Sequence, residues 1–254
     1  MSHIALKPLV VGLAALLLAA CGGGGGDSAP APSPTPPPTS ADTAEGFWSG
    51  TTSSGFSILG AVLENGEYWV MYYANGLLYG VVQGTGTSNN GNFTSTNGLD
   101  YFLGGGVTPV AVSGSYRARA TLQGVVTPQA GGTPVTFTSA YDPSYETPAT
   151  LASVQGVWRG RLLGGETYAI NVGANGALTG AGSSGCTFTG SILPRPSGKA
   201  VYNVTVTFNG GVCLLGSQTI NGIGVVGTTT QGPVLYAAAL NGTRSAGFVL
   251  IGGR

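Results

Sequence analysis

Apolar and polar residues alternate with period two along much of this chain. Over residues 199–209, Ala200, Tyr202, Val204, Val206 and Phe208 fall on one face, and Val201, Asn203, Thr205, Thr207 and Asn209 on the other. Successive side chains of an extended strand point to opposite sides, so the pattern predicts a half-buried β-strand. Residues 115–123 read the same way as one strand, with Tyr116, Ala118, Ala120 and Leu122 inward and Arg117, Arg119 and Thr121 outward. Further strands are expected over 67–74, 135–141, 234–240 and 244–251. Asn-Gly pairs at 65–66, 75–76, 175–176 and 241–242 supply hairpin turns, because both residues tolerate positive φ. Beyond an apolar run near the amino terminus, no segment reads as helix.

The pattern is duplicated. Gly46-Phe47-Trp48-Ser49-Gly50 recurs as Gly156-Val157-Trp158-Arg159-Gly160, and in each copy an Asn follows the Trp by 17 residues and opens an Asn-Gly turn. Matched motif and matched turn predict two homologous units. Each has room for about eight short strands, which can close into a barrel and remove exposed edges. The expected fold is therefore all-β: two tandem antiparallel meander units, small up-and-down barrels, over 45–142 and 154–254. Residues 143–153, with Pro143 and Pro148, form the expected connection, and Tyr141 and Tyr145 are expected to pack there.

Ahead of these units lie Lys7, then an apolar run over residues 9–20 that ends in Leu18-Ala19-Ala20-Cys21. The run suits a signal-peptide core and falls short of the roughly 20 residues a membrane span needs. The tetrapeptide resembles the lipobox of bacterial lipoproteins. That resemblance implies a signal peptide over 1–20, diacylglycerol on the Cys21 thiol, and a membrane partner reached through that lipid. Gly22, where a retention signal would have Asp, implies passage to the outer membrane. Two or three acyl chains hold a protein on a bilayer where one does not. Residues 22–26 are five glycines and residues 29–38 read APAPSPTPPP, so 21–44 is expected to be a disordered linker and spacer.

The G-x-W motif near the first strand of each unit resembles the lipocalins and related barrels. In that family the Trp plugs the closed end and an Arg on the last strand stacks over it. The resemblance implies a structural role for Trp48 and Trp158. It points to Arg244, at the head of the expected last strand, as the partner of Trp158. The first unit has no arginine in its expected last strand.

Charge and composition narrow the chemistry. After the leader the chain has one lysine (Lys199) and seven arginines against nine acidic residues, a net charge of about −1. Such a balance gives no basic stripe for nucleic acid. The single histidine, His3, lies in the leader, so Ser-His and Cys-His catalysis has no base. Cys186 and Cys213 form an even pair in an exported chain and are expected to be a disulfide rather than a metal site. No cofactor beyond the covalent lipid, and no metal, is expected. The acidic residues Glu45, Glu64, Glu67, Asp100, Asp142, Glu146 and Glu166 form no pair that sequence can set across a cleft.

Aromatics remain. Tyr68, Trp69, Tyr72, Tyr73 and Tyr79 gather around one hairpin, and alternation puts Tyr68 and Tyr72 on one face and Trp69 and Tyr73 on the other. The first face is expected to be core. The second is a candidate binding patch, or a surface packed on the other unit. The expected function is a lipid-anchored envelope protein that binds or adheres without catalysis, its partner an envelope protein or a small apolar ligand. A structural or assembly protein of the outer membrane and a carboxylate hydrolase are the alternatives.

Overall fold

The structure, a computed structural model, describes residues 42–254 apart from 103, 105, 163 and 164. The expected signal peptide, Cys21 and the linker up to residue 41 lie outside the described residues.

The body is all-β and consists of two closed barrels in tandem. The first contains β1 (Gly46–Thr52), β2 (Ser57–Val62), β3 (Glu67–Ala74), β4 (Leu77–Thr85), β5 (Thr87–Asn89), β6 (Asn92–Phe102), β7 (Gly106–Arg117), β8 (Thr121–Pro128) and β9 (Val135–Asp142). β1 pairs with β9, and β4 pairs with β6, which closes an eight-stranded ring and leaves β5 as a short appendage on β6. A 3₁₀ turn (Pro143–Glu146) and a one-turn helix, α1 (Leu151–Val154), make the connection. The second barrel runs β10 (Gly156–Leu162), β11 (Thr167–Val172), β12 (Ala177–Gly182), β13 (Thr187–Pro194), β14 (Tyr202–Phe208), β15 (Thr219–Thr229), β16 (Gly232–Leu240) and β17 (Gly247–Gly253), and β17 returns to β10.

Each strand pairs antiparallel with its sequence neighbour, as hairpins and period-two alternation dictate. Barrel formation also explains the repeated G-x-W-x-G. Its first glycine, Gly46 or Gly156, has positive φ, which a side chain would strain. Its second, Gly50 or Gly160, lies where a Cβ would run into the carbonyl oxygen of Thr138 or Ile251 on the closing strand. The motif marks the seam at which each sheet meets itself.

Three sequence expectations change. Residues 115–123 are not one strand: the chain reverses over residues 118–120, with Arg119 at φ 55°, between β7 and β8. Tyr116 and Leu122 still both face inward because the turn sets them directly opposite each other. Residues 244–246 precede the last strand, and 241–246 form a loop stitched by Asn241 rather than a two-residue hairpin. The barrel also begins before residue 45: Ala44 is fully buried, and the Asp42 carbonyl accepts from Tyr116 Oη at 2.7 Å.

Three apolar cores hold the body. One fills each barrel. The third lies between them, where Ala61, Trp69 and Val81 of β2–β4 meet Ile223, Ala238 and Val249 of β15–β17. Tyr145 is buried there, its ring edge-on to Phe47 at 4.9 Å and its hydroxyl donating to Glu45 at 2.9 Å. At the rim, Arg195 pairs with Glu64 at 2.9 Å, and Glu146 takes both Lys199 (2.6 Å) and Arg119 (3.2 Å). Exposed ion pairs of this kind are worth about 0–1 kcal/mol each, so the apolar core carries the junction. Val201, expected on an outer polar face, is completely buried against this same junction.

Candidate functional site

Both tryptophans are buried and held in the same way. Trp48 Nε1 donates to the Ala44 carbonyl at 2.9 Å, and Trp158 Nε1 to the Val154 carbonyl at 2.7 Å. Their partners from the last strand differ. Tyr141, directly opposite Trp48 in the β1–β9 register, meets it edge-on at 5.5 Å. Over Trp158 lies Arg254, its guanidinium 4.8 Å from the ring centroid. The β10–β17 register ends at Arg159 opposite Gly253, so one further step sets Arg254 opposite Trp158.

Arg244 is therefore not the partner of Trp158. It lies in the β16–β17 loop at φ 56° and reaches the other barrel, donating to Gln83 Oε1 (2.7 Å), the Gln83 carbonyl (2.8 Å) and the Asn97 carbonyl (3.0 Å). The Arg244 carbonyl accepts from Tyr101 Oη at 2.7 Å. One residue thus serves as a clamp between the barrels.

Nor do Trp69 and Tyr73 form an open patch. Trp69 is only 5 % exposed, in the inter-barrel core, with Nε1 donating to Glu67 at 2.8 Å. A bulge at Tyr72/Tyr73 disturbs the pairing there, and Tyr73 is half-buried beside Tyr236. Apolar area next to a second apolar sheet is covered by that sheet.

Cys186 and Cys213 are joined, with Cα atoms 4.7 Å apart. The bridge ties the β12–β13 loop to the β14–β15 loop, at the end of the second barrel away from Trp158. It fixes a loop on which Val212 is 63 % and Leu214 99 % exposed. Closing a loop of this length contributes roughly 3 kcal/mol.

The two barrel interiors are filled unequally. Of the largest side chains less than 2 % exposed, Val154, Trp158, Val172, Ile192, Tyr202, Ile220 and Leu250 belong to the core of the second barrel, and only Val110 to that of the first. The first barrel instead holds a cavity of about 220 Å³. Its floor is Trp48, Phe93 and Leu122. Its walls include Ile58, Val82, Val112 and Phe137, and its mouth Phe56, Tyr72 and Phe102. At the mouth Phe56 packs edge-on to Tyr72 at 5.4 Å, and Phe102 lies parallel to Tyr72 at 6.5 Å. Leu77, Phe102 and Val107 stand out into solvent around this rim.

The polar groups along the wall are nearly all satisfied internally. Tyr68 Oη pairs with Ser95 Oγ at 3.1 Å, and Ser139 Oγ donates to the Leu122 carbonyl at 2.6 Å. Asp100 is the exception. Its Oδ1 accepts from Tyr72 Oη at 2.8 Å, while Oδ2 has no partner among the described residues. Burial pushes its carboxyl above the ordinary carboxylate value, against the smaller opposing effect of the Tyr72 hydrogen bond. No lysine or arginine lines the cavity.

Two of the larger recesses lie along the junction of the barrels. One, about 470 Å³, follows the seam between the barrels beside Phe47, Trp69 and Tyr236. The other, about 400 Å³, runs from Phe188, Phe208 and Phe248 under the disulfide loop onto Trp69 and Tyr101. Both are bounded by the residues that hold the barrels together. The cavity of the first barrel is lined by residues of that barrel alone.

Six of the remaining carboxylates have structural partners: Glu45 with Tyr145, Glu64 with Arg195, Glu67 with Trp69, Glu146 with Lys199 and Arg119, Glu166 with Ser184, and Asp142 capping the 3₁₀ turn through the Ser144 amide. Among the described residues no group of three His, Cys, Asp or Glu side chains is placed to hold a metal. No helix among them is long and apolar enough to cross a membrane. Compared with known protein families, curated proteins and solved structures, the chain matches none.

Proposed function

We propose that this protein is a lipid-anchored binding module of the bacterial envelope, in which the first barrel holds a small apolar ligand and the second braces it. The observation that carries the reading is the unequal filling: a barrel plugged at one end by Trp48, empty over about 220 Å³, and open at an aromatic mouth. Ligand sites are concave, mostly apolar and supplied with few polar groups, and this cavity has that character. Its counterpart, packed through the middle by Tyr202, Ile192 and Ile220, supplies a rigid neighbour for β2–β4. The anchor rests on Leu18-Ala19-Ala20-Cys21, with the Gly- and Pro-rich residues that follow as a spacer and the outer membrane as destination.

Thermal unfolding of the full chain with phenethyl alcohol, a neutral probe of suitable size, tests the site. A ligand that binds only the folded state raises the midpoint with concentration. The reading predicts a rise in the native protein and none in Val112→Phe, which fills the cavity. Equal rises in both would place binding elsewhere and refute it. The anchor is tested separately: Cys21→Ser is expected to lose membrane retention, and unchanged retention would contradict the lipid.

A further inference from the structure

We propose that the ligand of the first barrel is a small apolar amine, its cationic nitrogen held by Asp100 and its apolar body lodged between Phe56, Val112 and Phe137. This rests on the cavity being a ligand site and adds the chemistry of what it selects. Asp100 is the one ionisable acid in the lining apart from tyrosines, and it has no counter-ion there. A carboxylate in an apolar enclosure is costly unless it is paired. Tyr72 Oη occupies only Oδ1, and Oδ2 of this half-buried carboxylate accepts from no side chain among the described residues. An alkylammonium brings both the missing charge and the missing donor. The rings of Tyr72 and Phe102 lie parallel beside this point, and their faces attract a cation as well.

Size sets the other limit. An apolar cavity of roughly 150 Å³ accommodates benzene. The space of about 220 Å³ here takes one ring with a short arm. A fatty chain would have to run out past Phe56 and Phe102 at the mouth. An anionic ligand would meet Asp100 without a neutralising residue, so organic acids are selected against.

The experiment compares two probes that differ in one group, phenethylamine and phenethyl alcohol, by calorimetric titration into the full chain at neutral pH. The ammonium brings a full opposite charge to Asp100 where the alcohol brings only a hydroxyl donor, which favours the amine by about tenfold or more. Asp100→Asn is expected to remove that preference. Should Asp100→Asn fail to fold, the native protein provides a second readout: the preference for the amine over the alcohol falls as acid protonates Asp100. Equal affinities in the native protein, a preference that survives Asp100→Asn, or a preference indifferent to acid would each overturn the amine while leaving the cavity standing. Failure of both probes to bind would remove the cavity reading itself.

Discussion

Arg254 lies over Trp158 and donates through Nη1 to the Gln155 carbonyl, so one side chain covers the indole and ties β17 to the residue before β10. The first barrel meets the same need with Tyr141 against Trp48. Arg254→Ala is expected to cost about 1–2 kcal/mol, from the lost cation–π contact and the charge-assisted hydrogen bond. Urea unfolding followed by tryptophan fluorescence measures it. Arg244→Ala is expected to destabilise the junction by a similar amount and, in a Trp48→Phe, Trp69→Phe background where Trp158 alone emits, to leave the emission unchanged; a change there would restore Arg244 as the cap.

Tyr168 is 5 % exposed and its hydroxyl is buried with no partner among the described residues, facing Gly160 and Gly252. A buried unsatisfied hydroxyl costs about 1–3 kcal/mol. Tyr168→Phe removes it and keeps the ring, so the variant is expected to unfold at higher urea, by about 1 kcal/mol. A loss of stability would show that the hydroxyl has a partner after all.

Two carboxylates give opposite pH dependences. Hydrogen bonds from Lys199 and Tyr141 hold Glu146 below its ordinary value of 4.5. A depressed value means stability that is present above 4.5 and is lost as pH falls through the folded value. Asp100 has the reverse sign. Its carboxyl is raised above 3.8 by burial, so the folded state binds the extra proton and gains stability as pH falls toward 3.8. Asp100→Asn is thus expected to stabilise the unliganded protein at neutral pH, with the gain vanishing in acid, whereas Glu146→Gln flattens only the acid limb. Urea midpoints across pH for both variants decide it, and a neutral-pH loss of stability in Asp100→Asn would run against the burial argument.

Opening Cys186–Cys213 is expected to lower stability by roughly 3 kcal/mol. It should also loosen residues 209–218, which carry the exposed Val212 and Leu214. Thermal unfolding with and without reductant, or of the Cys186→Ala, Cys213→Ala pair, measures the loss. An unchanged midpoint would mean that the loop is held by its own hydrogen bonds.

The fold was readable because the signals were local. Tyr68 and Tyr72 alternate inward with nothing between them to shift the phase, and the repeated G-x-W-x-G marks a seam whose steric demand is written in its glycines. Arg254 was missed because its place over Trp158 depends on which residue the returning strand sets opposite the tryptophan. Asp100 was hidden by a bulge. Phe93 and Ser95 face inward, the pairing slips between Ser95 and Gly98, and Gly98 and Asp100 then face inward on the opposite parity. Counting by twos from Phe93 puts Asp100 on the outside. Nor does alternation reveal that Val112 and Phe137 leave space between them, since that is a property of how inward side chains pack across the barrel.

The most direct test of the central claim is a titration of methyl-labelled protein with phenethyl alcohol, followed by NMR. Shifts at Ile58, Val112 and Val126, with Ile170 and Ile192 unmoved, are the result this account requires. Shifts confined to Ile223 and Val225 along the inter-barrel seam, or no shift inside the first barrel at saturating probe, would contradict it.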